Sequence, residues 1–307
     1  MFEAFEVGPM IIWFRVVFLL LAIWLAIEFF MRLAHAAGLS LQGIRDAARW
    51  HFLAFILGGR LLAVIAEYQP FLQNPLRIFI LWDGAFSFLG GAVGVATVLF
   101  FTTRAQRTTF LQWLDVLLPA TTFGLALDWF GKFMSAQAYG KPTNVFWGVT
   151  FDTFSVRYTV PIHPVQLYYA LFFLVLTFLL LLIRKHSKRS GSETLIGIVI
   201  ATLGVFFLEF LRGDFGIPVF AMLTDFFFMA LLFVSLGVLA LIEHRLTPRV
   251  NTIYSSLIMI LTVAYVILRP WIGVVQYQLR FSQVLAILAL LGIVVYVTVH
   301  RRKHPHL

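Results

Sequence analysis

The 307-residue chain has no cysteine. That absence excludes disulfides, thiolate metal sites and a thiol nucleophile of its own, so any sulfur chemistry must use a sulfur carried by a substrate. Charge is scarce as well. Only 12% of residues are Asp, Glu, Lys or Arg, against roughly 25% in an ordinary soluble domain. There is no internal repeat, no low-complexity tract and no polar stretch large enough to own a core, which leaves no soluble domain to carry a function apart from the rest. Apolar residues fill the chain instead, at 61% of the total.

A run of about 20 apolar residues crosses ~30 Å of hydrocarbon. Such runs fall at 9–31, 48–66, 84–103, 109–131, 163–183, 194–212, 218–242, 250–268 and 281–299. They predict an all-α fold, a polytopic integral membrane helix bundle of nine spans. The opening "MFEAFEVGPM" carries Glu3 and Glu6 and no basic residue before Arg15, so it lacks the positive start of a cleavable signal peptide, and the first span is expected to stay in the mature protein.

The formal charge of +9 follows topology rather than nucleic-acid binding. With the N-terminus outside, fourteen Lys and Arg residues fall on the inner segments and five on the clearly outer ones. The positive-inside rule then places the C-terminus in the cytoplasm. In this topology Arg60, Asp83, Lys132, His163, Glu209 and Arg212 all sit toward the outer end of the bundle. Ionisable residues in or beside spans are functional candidates, because a charge in lipid costs about 2.5 to 3.5 kcal/mol even on insertion scales.

Each of these residues also has a plainer reading. Asp83 fits an N-cap for a helix beginning at Gly84. Glu209 and Arg212, at i and i+3, can pair on one helix face. Lys132 can snorkel to headgroups. His163 before Pro164 marks a helix start, with Gln166 on the same face. Arg60, behind Gly58 and Gly59, is the hardest to explain by structure alone. Glu28, Asp115, Asp128 and Asp225 read as helix-end or interhelical pairs. In "WDGAFSFLGGAVG", Gly84, Gly90, Gly91 and Gly94 let a neighbouring helix or a lipid headgroup approach the backbone.

The stretches "GGRLLAVIAEYQPFLQNPLRIFILWDGAFSFLGG", "FGKFMSAQAYGK", "HPVQLYY" and "FLEFLRGD" occur in that order, and in this the sequence resembles the bacterial prolipoprotein diacylglyceryl transferases over about residues 5–240. The resemblance implies a seven-helix core at residues 1–243, with the C-terminal extension 244–307 adding two spans and a basic tail. It implies an enzyme of the bacterial cytoplasmic (inner) membrane. Such an enzyme moves diacylglycerol from phosphatidylglycerol to the lipobox cysteine thiol of a prolipoprotein. The implied partners are phosphatidylglycerol, other membrane lipids and the prolipoprotein signal peptide; no cofactor, metal or nucleic acid is expected. The residues it selects as catalytic are His163, Arg60 and Arg212, with Asp83, Gly90, Gly91, Lys132, Gln166, Tyr168 and Glu209 against the substrate.

The motifs also depart from the family's. Leu89 stands where the family has histidine, Trp129 where it has arginine, Lys132 where it has asparagine, and Gln137 at an acidic position. Phe14 replaces a tyrosine, and Tyr169 replaces the glutamate after the Leu-Tyr pair. Two other functions stay open: a lipid-binding homologue without catalysis, and a transporter. The transporter requires ionisable residues near the midplane and broken helices in matching halves, and neither is present in the sequence.

Overall fold

A computed structural model of the protein describes residues 4–7, 10–80, 85–103, 107–153, 156–187, 190–214, 219–222, 228, 231–232, 235, 247–268 and 278–303. These residues form a polytopic helix bundle in two compact units, Met1–Pro218 and Val219–Leu307. Among the described residues, five helices are long and apolar enough to cross a membrane: Phe14–Ala36, Ala48–Ala66, Phe110–Met134, Val165–His186 and Ser192–Leu211. Shorter apolar helices at Phe88–Thr103, Thr252–Leu268 and Phe281–Val297 occupy three more of the expected spans.

In the first unit, β1 (Ala4–Val7) and β2 (Met10–Trp13) pair antiparallel, with Val7 opposite Met10. The first helix, α1 (Phe14–Ala36), therefore starts later than the apolar run at 9–31, because "MIIW" is taken into a strand ladder. Apolar content alone does not separate a strand from the head of a helix. Along α1 the buried residues Ala22, Ala26, Phe30 and Ala34 recur every four positions, a single stripe that packs on α6 (Arg107–Met134).

After the short α2 (Gln42–Asp46) come α3 (Ala48–Ala66), α4 (Tyr68–Gln73), a 3₁₀ turn at Pro75–Phe79 and α5 (Phe88–Thr103). Helices α3 and α5 meet backbone to backbone. A Cβ added to Gly58 would stand 2.5 Å from the Gly90 carbonyl oxygen, and one on Gly90 would strike the Gly58 carbonyl. Gly91 faces the Phe55 ring in the same crossing, and Gly94 faces the Ala54 carbonyl. The small-residue pattern is thus used for helix contact.

Helix α6 packs against α1, α5, α7 (Val165–His186) and α8 (Ser192–Leu208). Thr122 on α6 and Thr177 on α7 share a buried hydrogen bond of 2.8 Å, an interhelical contact worth about 0.6 kcal/mol in a membrane bundle. Asp115 of α6 accepts hydrogen bonds from the Gly191 N–H at 2.6 Å, the Thr194 N–H at 2.9 Å and the Thr194 hydroxyl at 2.6 Å. A carboxylate from one helix thereby caps the start of another. Gly191 adopts φ +88°, which admits the tight turn ahead of α8.

At the opposite end of α6, residues 135–164 return the chain to α7 over Phe133, Tyr139, Phe151, Val156 and Ile162. Three isolated bridges hold this segment: Pro142 with Ile162, Val149 with Ile162, and Gly140 with Arg212. A 3₁₀ turn, Glu209–Leu211, follows α8.

The second unit contains α9 (Pro248–Leu268) and α10 (Phe281–Lys303), with β3 (Val219–Met222) paired antiparallel to β4 (Gln278–Arg280). Residues 219–222 are thus strand where the run at 218–242 suggests helix, since their backbone groups are taken by β4. Most of the rest of that run, with Asp225, lies outside the described residues.

Candidate active site

The expected site residues fall into three groups, and Asp83 lies outside the described residues. The first group surrounds Arg60 on α3. Its guanidinium is buried and donates from Nε to the Ile78 carbonyl at 2.9 Å, from Nη1 to Ala85 at 2.7 Å and from Nη2 to Arg77 at 2.5 Å. The Phe71 ring lies 5.0 Å from its Cζ. Burying an arginine is tolerable when its planar fork finds acceptors. Among the described residues, the acceptors shown are the main-chain carbonyls of Arg77, Ile78 and Ala85, in the segment ahead of α5. Arg60 acts on this segment as a clasp, a role its motif position does not disclose.

Gly90 and Gly91 belong to the α3–α5 crossing, so their missing Cβ atoms serve packing with Gly58 and Phe55. Leu89, beside them, is 42% exposed.

The second group gathers at the junction of α6, α7 and α8. Arg212 donates from Nη1 to Glu209 Oε1 at 2.9 Å, and its Nε and Nη2 grip both oxygens of Asp214 at 3.1 and 2.5 Å. This two-point grip is the geometry with which arginine binds carboxylate or phosphate. Burying a guanidinium, which stays charged, is tolerable here because Glu209 and Asp214 both stand against it as hydrogen-bonded counter-charges. Glu209 is 1% exposed, and its second oxygen, Oε2, accepts from the Tyr169 hydroxyl at 2.8 Å.

Tyr169 in turn stacks on Trp129, with centroids 3.9 Å apart and planes at 10°. The two positions at which the family motif carries a glutamate and an arginine thus hold an aromatic pair in face contact. Lys132 Nζ lies 4.2 Å from the Trp129 centroid and Arg212 Cζ 5.9 Å from it, so one indole gathers two cations. Lys132 also pairs with Asp128 one turn back at 2.8 Å.

Gln166 and the bridge segment brace this junction. Gln166 is fully buried, and its Nε2 donates to the Gln137 carbonyl at 2.6 Å. Gln137 lies between Ala136 and Ala138, which adopt φ +54° and +52°. A non-glycine residue held in the left-handed region costs about 1 kcal/mol or more and persists only where surroundings enforce it. The enforcement continues along the chain, where Gly213 N–H donates to the Tyr139 carbonyl and Lys141 N–H to Leu211, both at 2.9 Å. Gln166 therefore ties the start of α7 to the turn at Gln137.

The third group is His163, Tyr168 and Trp147. Trp147 Nε1 donates to the Tyr168 hydroxyl at 2.6 Å, and His163 Nδ1 lies 3.2 Å from the same oxygen. The backbone joins this group to the second one. His163 N–H donates to the Lys141 carbonyl at 3.0 Å, and Lys141 is itself bound to Leu211, next to Arg212. Phe14, at the family's tyrosine position, is the first residue of α1 and half-buried.

Tyr169 and Asp214, which close the stretches HPVQLYY and FLEFLRGD, and Trp147, which lies outside the quoted stretches, are participants not among the selected site residues. The signal for Tyr169 was present: an aromatic at a motif position normally acidic, matched by an aromatic where a cation was expected.

These features define a class first: an integral membrane protein whose charged residues collect where three helices end around a buried, doubly gripped arginine. The comparisons with known proteins narrow it. The profile of the family described as prolipoprotein diacylglyceryl transferase matches residues 3–243. Among similar proteins is the phosphatidylglycerol--prolipoprotein diacylglyceryl transferase of Pseudoalteromonas atlantica, 35% identical over 216 residues, which cover 68% of this chain and 74% of the relative. The protein of the same name from Vibrio cholerae is 34% identical over 218 residues, 68% of this chain and 77% of its own length. That of Glaesserella parasuis is 32% identical over 210 residues, covering 66% and 76%. The chain belongs to the prolipoprotein diacylglyceryl transferase family. It is a transferase of that family by sequence and a membrane helix bundle by structure.

Proposed function

We propose that this transferase takes phosphatidylglycerol as donor and a lipobox cysteine thiol of a prolipoprotein as acceptor, in a bacterial inner membrane. The thiol sulfur attacks the glycerol carbon that bears the phosphate. A carbon–sulfur bond forms, the carbon–oxygen bond to phosphate breaks, and glycerol phosphate leaves with the electron pair. The thiol proton goes to His163. With Nδ1–H donated to the Tyr168 oxygen 3.2 Å away, Nε2 is left to accept it.

The observation that carries the phosphate site is Arg212: buried, cationic and gripping a carboxylate with two parallel hydrogen bonds. Asp214 occupies the place that a phosphate would take, and Lys132, on the same indole, supplies the second cation. Arg60, engaged by three carbonyls, is assigned to holding the segment ahead of α5. The phosphate pair is therefore Lys132 and Arg212. Basic-residue asymmetry supports an N-terminus outside and a C-terminus in the cytoplasm.

The test is kinetic. In the reconstituted full-length protein, Arg212→Lys keeps the charge and loses the fork. It is expected to raise the KM for phosphatidylglycerol at least about tenfold, by the ~1.5–3 kcal/mol range of a charged hydrogen bond. Lys132→Gln is expected to do so by a smaller factor. If both variants keep the parental KM while Arg60→Lys raises it, the phosphate lies at Arg60 instead.

A further inference from the structure

Tyr169 belongs to no acid–base or phosphate-binding set, yet it is 1% exposed and aims its only polar atom at a charged group. Its hydroxyl donates to Glu209 Oε2 at 2.8 Å. The Val205 carbonyl, at 3.3 Å, is the weaker claimant on that proton. Glu209 Oε1 accepts from Arg212 Nη1 at 2.9 Å. A buried carboxylate is stable only when its oxygens meet donors, and here one oxygen faces the phenol and the other faces the guanidinium.

The consequence is geometric. The plane of the Glu209 carboxylate is fixed by where the phenol stands, and the direction of Arg212 Nη1 follows from that plane. The phenol is in turn fixed by Trp129, whose ring lies flat against it at 3.9 Å. Trp129 is the same ring that gathers Lys132 and Arg212. Tyr168, next in sequence and half-buried, serves the His163 group instead. Adjacent tyrosines on α7 thus face the two halves of the site.

We infer that Tyr169 is a positioning residue, which orients the Arg212 guanidinium toward the lipid phosphate by holding Glu209. The inference rests on the phosphate site proposed above. A tyrosine present only for packing would make its hydroxyl dispensable, because the Trp129 stack and the burial of the ring survive in phenylalanine.

The experiment uses the full-length protein in nanodiscs and three variants: Tyr169→Phe, Glu209→Gln and the double variant. Adduct formation on a lipobox peptide is followed against the mole fraction of phosphatidylglycerol. Binding of phosphatidylglycerol and of diacylglycerol, which has no phosphate, is measured in parallel by native mass spectrometry. Tyr169→Phe is expected to raise the KM about tenfold with kcat changed less than about threefold, the size of one hydrogen bond to a charged group. It weakens phosphatidylglycerol binding by the same factor and leaves diacylglycerol binding unchanged. Glu209→Gln shows the same loss of phosphate preference, and the double variant is no worse than Glu209→Gln alone.

Parental KM and binding in Tyr169→Phe, or losses that multiply in the double variant, overturn the positioning role. Should Tyr169→Phe fail to fold, Glu209→Gln decides, and retention of parental phosphate preference there counts against the chain from phenol to guanidinium. A parent that forms no adduct refutes the proposed reaction; the binding ratios still decide the role of Tyr169.

Discussion

Replacing Asp214 by asparagine should make the protein less stable and its lipid binding tighter. In the unliganded protein the Asp214 carboxylate is held at 3.1 and 2.5 Å by two nitrogens of Arg212, whose side chain is 11% exposed against 14% for Asp214. Breaking a fully buried pair costs about 3–5 kcal/mol, and an exposed pair contributes about 0–1 kcal/mol. A pair with its edge open to the outside falls between, at about 1–2 kcal/mol, so Asp214→Asn should lower the melting temperature by several degrees. A phosphate that takes the same fork must first displace the carboxylate. Removing the negative charge removes that competition, and KM for phosphatidylglycerol should fall about three- to tenfold, the equivalent of roughly 0.7–1.4 kcal/mol. The assays are a thermal melt in detergent and initial rates in nanodiscs. A fall in stability with a rise in KM would refute the reasoning, because Asp214 would then be holding Arg212 for the substrate rather than holding the substrate's place.

Further outcomes follow from the other groups. His163→Gln should lower turnover by about 10² to 10⁴, the usual contribution of a positioned base, with phosphatidylglycerol binding kept; full adduct formation would remove His163 from the proton transfer. Gly90→Ala places a methyl against the Gly58 carbonyl and should destabilise the α3–α5 crossing by about 1–3 kcal/mol without changing KM in the protein that remains folded. Asp115→Ala removes the acceptor for Gly191 and Thr194 and should cost about 0.5–2 kcal/mol in a melt, again with KM unchanged. Reporter fusions at Leu307 and in the 141–157 loop should report opposite compartments; the same compartment for both would overturn the proposed topology.

The bundle was legible in the sequence because lipid demands long apolar helices, and apolar length is visible in one dimension. The strand pairs were not. "MIIW" and "VFAM" are apolar in either conformation, and the partners that make them strands lie elsewhere, for the second more than fifty residues away at Gln278–Arg280. Asp115 could be read as a helix-end residue from its place in a span, whereas the helix that it caps is another one, α8. In the candidate site, residue types were readable and their directions were not. Arg60 and Arg212 look alike as arginines in or beside spans, yet among the described residues one donates to main-chain carbonyls ahead of α5 and the other to two carboxylates. Trp129 and Tyr169 read singly as two losses from the motif. Their meaning as a stacked pair depends on α6 and α7 packing side by side, which no local pattern encodes.

The central claim is that this family member carries out the transfer although Leu89, Trp129 and Tyr169 replace motif residues. The most direct measurement is mass spectrometry of a lipobox peptide incubated with the purified protein in phosphatidylglycerol nanodiscs, with a serine-for-cysteine peptide alongside. The account predicts a gain equal to one diacylglyceryl group on the cysteine peptide only, together with release of glycerol phosphate. Tight phosphatidylglycerol binding with neither product would contradict it and leave the chain as a lipid-binding member of the family without the chemistry.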